Sequence, residues 1–542
     1  MDKNILTIIP AAGRGSRMLS LTSNCSKSMI PVAGKPLISY LLDQLIDNNL
    51  KDVAIIVGYE KESLMKYVST FYKDKLNITF VEQKELLGLC HAIYQVMNTI
   101  DMKNYDSVFI MLGDAIFNTT KIFDFSKSYI ACKIMSDYSR WCIASSKDNI
   151  LIKLLDKPSI KPDVNQALVG AYYFNDASKF EKSVIDAINS GITIRNEYQI
   201  STAIEIYKEY ENIHIMNIED DEWFDFGEFD TYNINKRRFN QSRFFNNVEY
   251  HDNSITKRSK LNGNKIQKEI NWFLAIPDSL KKYLPNLVNY SLDDYDPYYT
   301  LEYCSGSTLQ EMWLYNNLDS EAWEKILSIV LNTLNDFKEN SREKTIDFQS
   351  FVKSQILNRV NLAEFFKGSL DINGEHYDLE MLKQFFTNYL ENFTNRFTSA
   401  ESIIVHGDMV FSNIIYNSFN NDIKLIDPRG DFCGNIMYGN VYYDLAKLAQ
   451  CIIGDYDYIV NDLFTLTDDG YEIYLDKPTD FKKNLFYKIV KDYNVYDVLF
   501  LTAVQFMTMI PLHAENTNHQ KMMKYKAIEI LNIIDKNLRG FD

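Results

Sequence analysis

Apolar and polar positions follow two rhythms along this chain, and the change between them falls near residue 240. In the first part, short apolar runs alternate with helical spacing. Ile5–Pro10 predicts a buried strand, and Leu37–Asn48, apolar at steps of three and four, predicts a helix. Asp52–Gly58 repeats the strand signal, and a helix follows from about Glu60 to Tyr72. Ile78–Val81 and then Leu87–Met97 renew the alternation. Val108–Leu112 is a fully apolar strand that ends in Gly113-Asp114. Strands alternating with helices predict βαβ units and a Rossmann-like, mostly parallel sheet with helices on both faces. Such sheets bind ligands beyond the carboxyl ends of their strands.

The polar stretch Asn235–Asp252 breaks this rhythm and marks the expected domain junction. From about Val248 to Tyr303 the pattern reads strand, strand, helix, strand, strand. From Gly306 onward it is mostly helical, with one β-rich island at Ile403–Gly430. The expected organisation is an α/β domain over residues 1–240 and a bilobed α+β domain over 241–542. The latter has a small lobe at about 245–303 and a helical lobe at about 304–542.

Composition narrows the functional classes. The chain has 542 residues, 46% apolar and 14% aromatic, which excludes a disordered polymer. With 57 basic and 73 acidic residues the net charge is −16, which argues against nucleic acid or an anionic membrane as the main partner. Seven scattered cysteines form no CxxC pair, so neither a disulfide framework nor a zinc site is expected, and a reducing cytoplasm is the expected setting. The start of the chain does not resemble a signal peptide. The apolar stretch Val498–Leu512, broken by Thr502, Gln505 and Thr508, reads as a buried helix too short to span a bilayer.

Directly after the first strand comes Ala11-Ala12-Gly13-Arg14-Gly15-Ser16-Arg17-Met18. Glycines there let the backbone approach a triphosphate, and the loop N–H groups form an anion nest. Arg17 adds charge. Ser26-Lys27-Ser28-Met29-Ile30-Pro31-Val32 and Gly34-Lys35-Pro36 follow, with Lys27 placed to reach back to the phosphates. Together these segments resemble the sugar-phosphate and choline-phosphate nucleotidyltransferase family. The resemblance implies that Ala12, Gly13, Gly15, Arg17, Lys27, Gln83 and Gly88 bind the nucleotide. It implies that Asp114, at the strand end, and Asp225, in Trp223-Phe224-Asp225-Phe226-Gly227, hold Mg²⁺. Lys157 in Asp156-Lys157-Pro158, Gly170 in Gly170-Ala171-Tyr172-Tyr173-Phe174 and Glu197 in Glu197-Tyr198-Gln199-Ile200 are implied acceptor contacts. In this chemistry an acceptor phosphate attacks the α-phosphorus of an NTP and pyrophosphate leaves. The enzyme therefore needs carboxylates for the metal and cations, Arg17 and Lys27 among them, for the phosphates. The chain departs from the family at Ser16, where Thr is commoner, and at Leu87–Ala92, which lacks the usual Gly-Thr-Ala.

The second constellation is His406-Gly407-Asp408-Met409-Val410-Phe411-Ser412-Asn413, followed by Ile423-Lys424-Leu425-Ile426-Asp427. It resembles the aminoglycoside/choline kinase group, whose loop mirrors the protein-kinase catalytic loop. The resemblance implies that Asp408 accepts the proton of a substrate hydroxyl and that Asn413 and Asp427 hold Mg²⁺ on ATP. Lys257 and Glu269 resemble the ATP-phosphate lysine and its partner, and Glu302-Tyr303 the hinge where adenine docks. Tyr443-Asp444-Leu445-Ala446-Lys447 resembles a helix start, with Asp444 expected to cap that helix and steady the catalytic loop. Arg429 is expected either to touch a phosphate or to brace its loop.

A kinase makes a phosphate monoester and a nucleotidyltransferase consumes one. Their fusion suggests consecutive steps: phosphorylation of a small alcohol with ATP, then coupling to an NTP, with CTP favoured. The result would be a CDP-choline-like donor for surface glycans such as capsule or lipopolysaccharide. Aromatic residues Trp272, Trp313, Tyr438, Tyr442 and Tyr443 could form a cation–π cage for choline, or they could be core. A sugar kinase joined to a sugar-1-phosphate nucleotidyltransferase is the alternative, and a non-catalytic ligand-binding regulator is a third reading.

Overall fold

The computed structural model describes residues 3–540 apart from 16–17, 19–24, 33, 136–137, 161, 163–165, 229–230, 233, 236–246, 252, 260–262, 317, 343–345, 398–401 and 433. The chain divides into two compact units, residues 1–240 and 241–542. Most of the polar stretch expected at the junction, residues 236–246, lies outside the described residues.

The first unit carries β1 (Ile5–Pro10), β2 (Pro31–Val32), β3 (Lys35–Pro36), β4 (Asp52–Val57), β5 (Asn77–Glu82), β6 (Ser107–Met111) and β7 (Ala115–Phe117). They are followed by β8 (Tyr129–Ile134), β9 (Cys142–Lys147), β10 (Ile150–Asp156), β11 (Gln166–Phe174), β12 (His214–Asn217) and β13 (Trp223–Asp225). Nine of them form one sheet in the order β5-β4-β1-β6-β11-β8-β12-β10-β9. The run β5-β4-β1-β6 is parallel, because the helices Leu37–Asp47, Lys61–Tyr72 and Leu89–Thr99 return the chain between strands. The expectation of a mostly parallel sheet is corrected beyond that point. β11 runs antiparallel to β6 and β8, and β10 antiparallel to β9. For β9 and β10 the reason is local: they are joined by Asp148-Asn149, with φ of 54° and 60°, the left-handed pair that a two-residue hairpin turn requires. Leu6, Ile8, Ala54, Ile56, Val108 and Ile110 build the core around the parallel strands. The loops that follow β1, β4 and β6 therefore gather at one carboxyl edge.

The second unit opens with an antiparallel sheet of β14 (Asn247–Tyr250), β15 (Ser254–Arg258), β16 (Leu287–Ser291) and β17 (Tyr298–Glu302), in the order β14-β15-β17-β16. The helix Gly263–Ala275 lies between β15 and β16 in the chain. The rest is mainly helical, with short strands at Ile403–Ile404, Ile414–Asn417 and Asp422–Leu425. Two further hairpins, Ser369–Ile372 with Glu375–Asp378 and Phe464–Thr467 with Gly470–Ile473, interrupt the expected helical run. The first turns at Asn373-Gly374, both at positive φ, and buries Ile372 and Tyr377 from its two short strands. Trp313 and Trp323, fully buried, meet edge-on at 5.0 Å, and Phe411 of the His406–Asn413 loop stacks on Trp323 at 5.8 Å.

Val495–His513 is, by length and composition, long and apolar enough to cross a membrane, so the expectation of too short a stretch is corrected. It is 67% buried within the unit. Its polar interruptions dock it: Thr502 Oγ1 donates to Ala446 O at 3.3 Å and Gln505 Nε2 to Tyr443 O at 3.1 Å.

Candidate functional site

The glycine loop leaves β1 at the carboxyl edge. Ala11 N donates to Ile56 O at 2.8 Å, and Tyr59 N donates to Ala12 O at 3.3 Å, which holds the loop against the end of β4. A Cβ on Gly58 would stand 2.9 Å from Ala12, whereas one on Gly13 would meet open space. Gly15 takes a φ of 62°. Ser16 and Arg17 lie outside the described residues.

Lys27 and Asp114 meet: Lys27 Nζ is 2.6 Å from Asp114 Oδ2. Ser28 Oγ donates to Gly113 O at 3.0 Å, so two consecutive residues of the Lys27–Met29 turn grip the end of β6. A Cβ on Gly113 would stand 2.7 Å from Pro10 O, which is why that position excludes a side chain. Asp225 arrives from the other end of the unit. The β7–β13 ladder pairs it with Ala115, and Phe226 N donates to Asp114 O at 2.9 Å. Asp114 and Asp225 line one pocket together with Arg140, Trp141 and Trp223. The two tryptophan rings meet edge-on at 5.7 Å. Arg140 and Trp141 carry no motif in the sequence; only the return of the chain before β9 brings them here.

Two carboxylates in an open pocket fit Mg²⁺, which takes one or two protein carboxylates and completes its shell with water and phosphate oxygens. No group of three His, Cys, Asp or Glu side chains among the described residues forms a closed metal cage. Any metal held here would share its shell with substrate.

The Gln83–Gly88 segment, implied to bind the nucleotide, and the Glu197–Ile200 segment, implied to contact the acceptor, are clasped together. Gln83 is buried, its N donates to Val57 O at 2.9 Å and its Nε2 to Gly88 O at 3.4 Å. Tyr198 N donates to Leu87 O at 2.8 Å, and Cys90 N to Tyr198 O at 2.9 Å. Gly88, at φ 103°, leaves no room for a side chain: a Cβ would stand 2.6 Å from Tyr198 O. Gly88→Ala should therefore separate the two segments and raise KM for both NTP and acceptor, by about tenfold or more each. Steady-state kinetics check this, and a change in only one KM would refute the clasp.

Lys157 takes a φ of 45° and donates its N–H to Trp141 O at 2.9 Å, beside the pocket-lining tryptophan. Asp156 accepts from Ser201 Oγ at 2.9 Å. Glu197 is exposed and accepts from Gln199 Nε2 at 2.8 Å. Gly170 is buried against Leu112, where a Cβ would stand 2.8 Å away, so it shapes the strand below Asp114.

In the second unit Lys257, Glu269 and Asp427 converge. Lys257 Nζ lies 2.9 Å from Glu269 Oε2 and 2.9 Å from Asp427 Oδ1. The Tyr299 hydroxyl donates to Glu269 at 2.7 Å, a contact with no sequence signal. Burial would lower the Lys257 pKa, but the two carboxylates hold it above its ordinary value. Asn413 Nδ2 donates to Asp408 O at 2.9 Å and to Asp408 Oδ2 at 3.3 Å, and Ile426 N donates to Asn413 O at 3.0 Å. These bonds set Asp408, Asn413 and Asp427 around one loop pair. His406 is fully buried with Nε2 2.9 Å from Ile426 O, and burial holds its pKa below the usual value. Gly430, at φ 69°, lets the loop after Asp427 pass the helix Gly263–Ala275, since a Cβ would stand 2.3 Å from Lys268 O.

Asp444 does not cap its helix. Asn440 does, accepting from Tyr442 N at 3.0 Å, because it is the residue that precedes the first helical turn. Asp444 sits in that first turn and points inward, accepting from His406 N at 2.9 Å and Gly407 N at 2.7 Å. Burial pushes its pKa up to about 7. One turn on, Lys447 lies 3.1 Å from Asp408 Oδ1. Burial would raise the Asp408 pKa, but Lys447 holds it below the ordinary carboxylate value. The backbone N–H groups of Glu302 and Tyr303 are engaged by Asn286 O and Asn253 O, each at 2.9 Å, so those two donors are taken within the sheet.

Of the five aromatic residues that could form a cage or be core, four are core, and half-buried Tyr442 packs edge-on against Tyr493 at 5.5 Å. Trp272 and Trp313 are fully buried, and Trp272 Nε1 donates to Val405 O at 3.0 Å. Tyr438 and Tyr443 are buried too. Tyr443, with Phe351 and Phe432, already holds a cation: the Arg429 guanidinium lies 5.4, 5.1 and 5.5 Å from their centroids. Arg429 also donates to Asp431 O at 2.9 Å and to the Tyr443 hydroxyl at 3.0 Å, so it braces its loop.

The model of the nucleotidyl transferase family matches residues 6–241. The UTP–glucose-1-phosphate uridylyltransferase AglF of Haloferax volcanii is 30% identical over 210 residues, covering 37% of this chain and 82% of that protein. The bifunctional protein GlmU of Methanococcus maripaludis is 27% identical over 238 residues, covering 43% of this chain and 54% of that protein. The chain thus spans about half the length of that GlmU protein. Through its first unit this chain belongs to the nucleotidyl transferase family, and that unit is a nucleotidyltransferase.

Proposed function

We propose that the chain is a bifunctional enzyme whose second unit makes the phosphate ester that its first unit activates. In the second unit a substrate hydroxyl oxygen attacks the γ-phosphorus of ATP. The new O–P bond forms as the bond to the β,γ-bridging oxygen breaks, the hydroxyl proton passes to Asp408, and ADP leaves. In the first unit an oxygen of the resulting phosphate attacks the α-phosphorus of an NTP, giving the nucleoside-diphospho product and pyrophosphate. Lys27, with Lys157 on the acceptor side, would hold the phosphates, and Asp114 and Asp225 would hold Mg²⁺. Asn413 and Asp427 would hold it in the second unit. The metal, when bound, neutralises charge on the phosphate oxygens.

One observation carries this reading. Each unit, on its own fold, sets a lysine on a carboxylate at the mouth of its loops: Lys27 on Asp114 at 2.6 Å, and Lys257 on Asp427 at 2.9 Å. Each pairing joins a cation suited to phosphate with a ligand suited to the metal that accompanies it.

The names of the relatives, a glucose-1-phosphate uridylyltransferase and GlmU, favour a sugar phosphate as the acceptor of the first unit. A choline-like alcohol with CTP draws no support from the aromatic residues, which are packed or already hold Arg429. ³¹P NMR of the full chain, given ATP with a panel of sugars and alcohols and then CTP, UTP, dTTP or GTP, tests both steps. A new phosphomonoester resonance, followed by a diphosphodiester pair and pyrophosphate, is expected. Failure to phosphorylate any hydroxyl compound would sink the second-unit reading.

A further inference from the structure

We infer that Lys447 is a positioning residue for phosphoryl transfer: it holds Asp408 from behind by Oδ1 and leaves Oδ2 to take the proton of the substrate hydroxyl. The inference rests on the reading of the second unit as an ATP-dependent phosphotransferase. Its ground is a register between one helix and one loop. The helix Val441–Ile452 meets the His406–Asn413 loop at three successive places. Asp444 accepts from His406 N at 2.9 Å and from Gly407 N at 2.7 Å. Lys447 Nζ lies 3.1 Å from Asp408 Oδ1. The Cys451 sulfur accepts from Phe411 N at 3.3 Å. Steps of three and four residues put 444, 447 and 451 on one face of the helix, so the loop runs along that face. The helix is itself held from its other side, where Gln505 Nε2 donates to Tyr443 O and Thr502 Oγ1 to Ala446 O.

Of the three contacts, the middle one reaches the side chain that takes part in the reaction. The Lys447 side chain is 9% exposed and that of Asp408 39%, so the lysine stands on the inner side of the carboxylate and the outer side is open. Asp408 Oδ2 accepts only a long bond, 3.3 Å from Asn413 Nδ2, among the described residues. Among those residues no other lysine or arginine pairs with Asp408. Lys257 is engaged by Glu269 and Asp427, and Arg429 by Asp431 O and the Tyr443 hydroxyl. Burial alone would lower the Lys447 pKa, but Asp408 holds it above the ordinary value, so the cation stays charged.

A carboxylate that receives a proton beside the γ-phosphate faces another anion, and the two repel. A fixed cation on the far oxygen offsets that repulsion without reorganisation during the step. It also opposes the rotation that would exchange Oδ1 and Oδ2. As the substrate oxygen bonds to the γ-phosphorus, the bond to the β,γ-bridging oxygen breaks. The hydroxyl proton passes to Asp408 Oδ2, and Lys447 Nζ keeps all three of its own protons. A neutral side chain of similar length could fill the space but could not supply the charge.

The test uses the full chain with Mg-ATP and a panel of sugars and small alcohols, followed by ADP release and ³¹P NMR. Lys447→Met should lower kcat about 10–100-fold and leave KM for ATP and for the acceptor within about twofold. Lys447→Gln, which keeps a donor but not the charge, should show a similar loss, and Lys447→Arg should recover part of it. A double-mutant cycle makes the deciding comparison. In an Asp408→Asn background Lys447→Met should lower the rate no further, since it acts through that carboxylate. Thermal melting checks that each variant is folded, and if Lys447→Met does not fold, Lys447→Gln carries the same comparison. An unmoved kcat in the folded variant overturns the inference. So does an equal fold loss in the Asp408→Asn background, the mark of a lysine that only supports the fold. Absence of transfer by the parent chain to any member of the panel would instead overturn the phosphotransferase reading, and the inference with it.

Discussion

Asp225→Asn is expected to lower pyrophosphate release from NTP and phosphorylated acceptor by about 10²–10³-fold, while phosphoryl transfer from ATP continues at the parent rate. The substitution isolates charge from shape. Asp225 Oδ1 accepts from Gly227 N at 2.8 Å, and an asparagine oxygen can keep that bond. The β7–β13 ladder that brings Asp225 beside Asp114 is made by backbone groups and does not depend on the carboxylate. What is removed is half of the negative charge available to a metal in that pocket. A coupled pyrophosphatase assay measures the effect. Undiminished release would show that Asp225 is no part of the metal site.

The complementary result is expected at Asp408. Asp408→Asn should lower phosphoryl transfer from ATP by about 10²–10⁴-fold, the usual contribution of a positioned general base, and leave nucleotidyl transfer unchanged. The main-chain bond from Asn413 Nδ2 to Asp408 O at 2.9 Å survives this change, so the loop keeps its anchor. Lys447 loses its counter-ion, and some fall in melting temperature should accompany the loss of rate. Asp408→Asn combined with Lys447→Met should recover melting temperature without recovering rate. If either Asp225→Asn or Asp408→Asn stopped both reactions in a folded protein, two independent sites would be ruled out.

The parts of this molecule legible in its sequence are those governed by local rules. Apolar runs at Ile5–Pro10, Asp52–Val57 and Ser107–Met111 can only be buried strands, and spacing of three and four marks Leu37–Asp47. The tight backbone passages at Gly88 and Gly430 show only in the structure, where a Cβ would stand 2.6 Å from Tyr198 O and 2.3 Å from Lys268 O. The antiparallel half of the sheet was harder to read. Its β9–β10 hairpin is set by a turn of only two residues, Asp148-Asn149, rather than by any apolar rhythm. Lys447, Arg140 and Tyr299 acquire their importance only across space. Lys447 reaches Asp408 from a helix that also orders the His406-Gly407 backbone. Aromatic residues were least legible: a Trp or Tyr has the same letter whether it faces a ligand, a core or, as with Tyr443, an internal guanidinium.

The lysine–carboxylate pairs at 27/114 and 257/427 bear on the descent of this chain as much as on its chemistry. Each pair is part-buried, and Lys257 also rests on the buried Glu269, so the loss of a single member unbalances the charge left around the other. A lineage that abandoned turnover in one unit would shed that unit's pair together. Paired loss at one of these couples, with the other intact, would mark descendants in which one half has become a plain ligand-binding module.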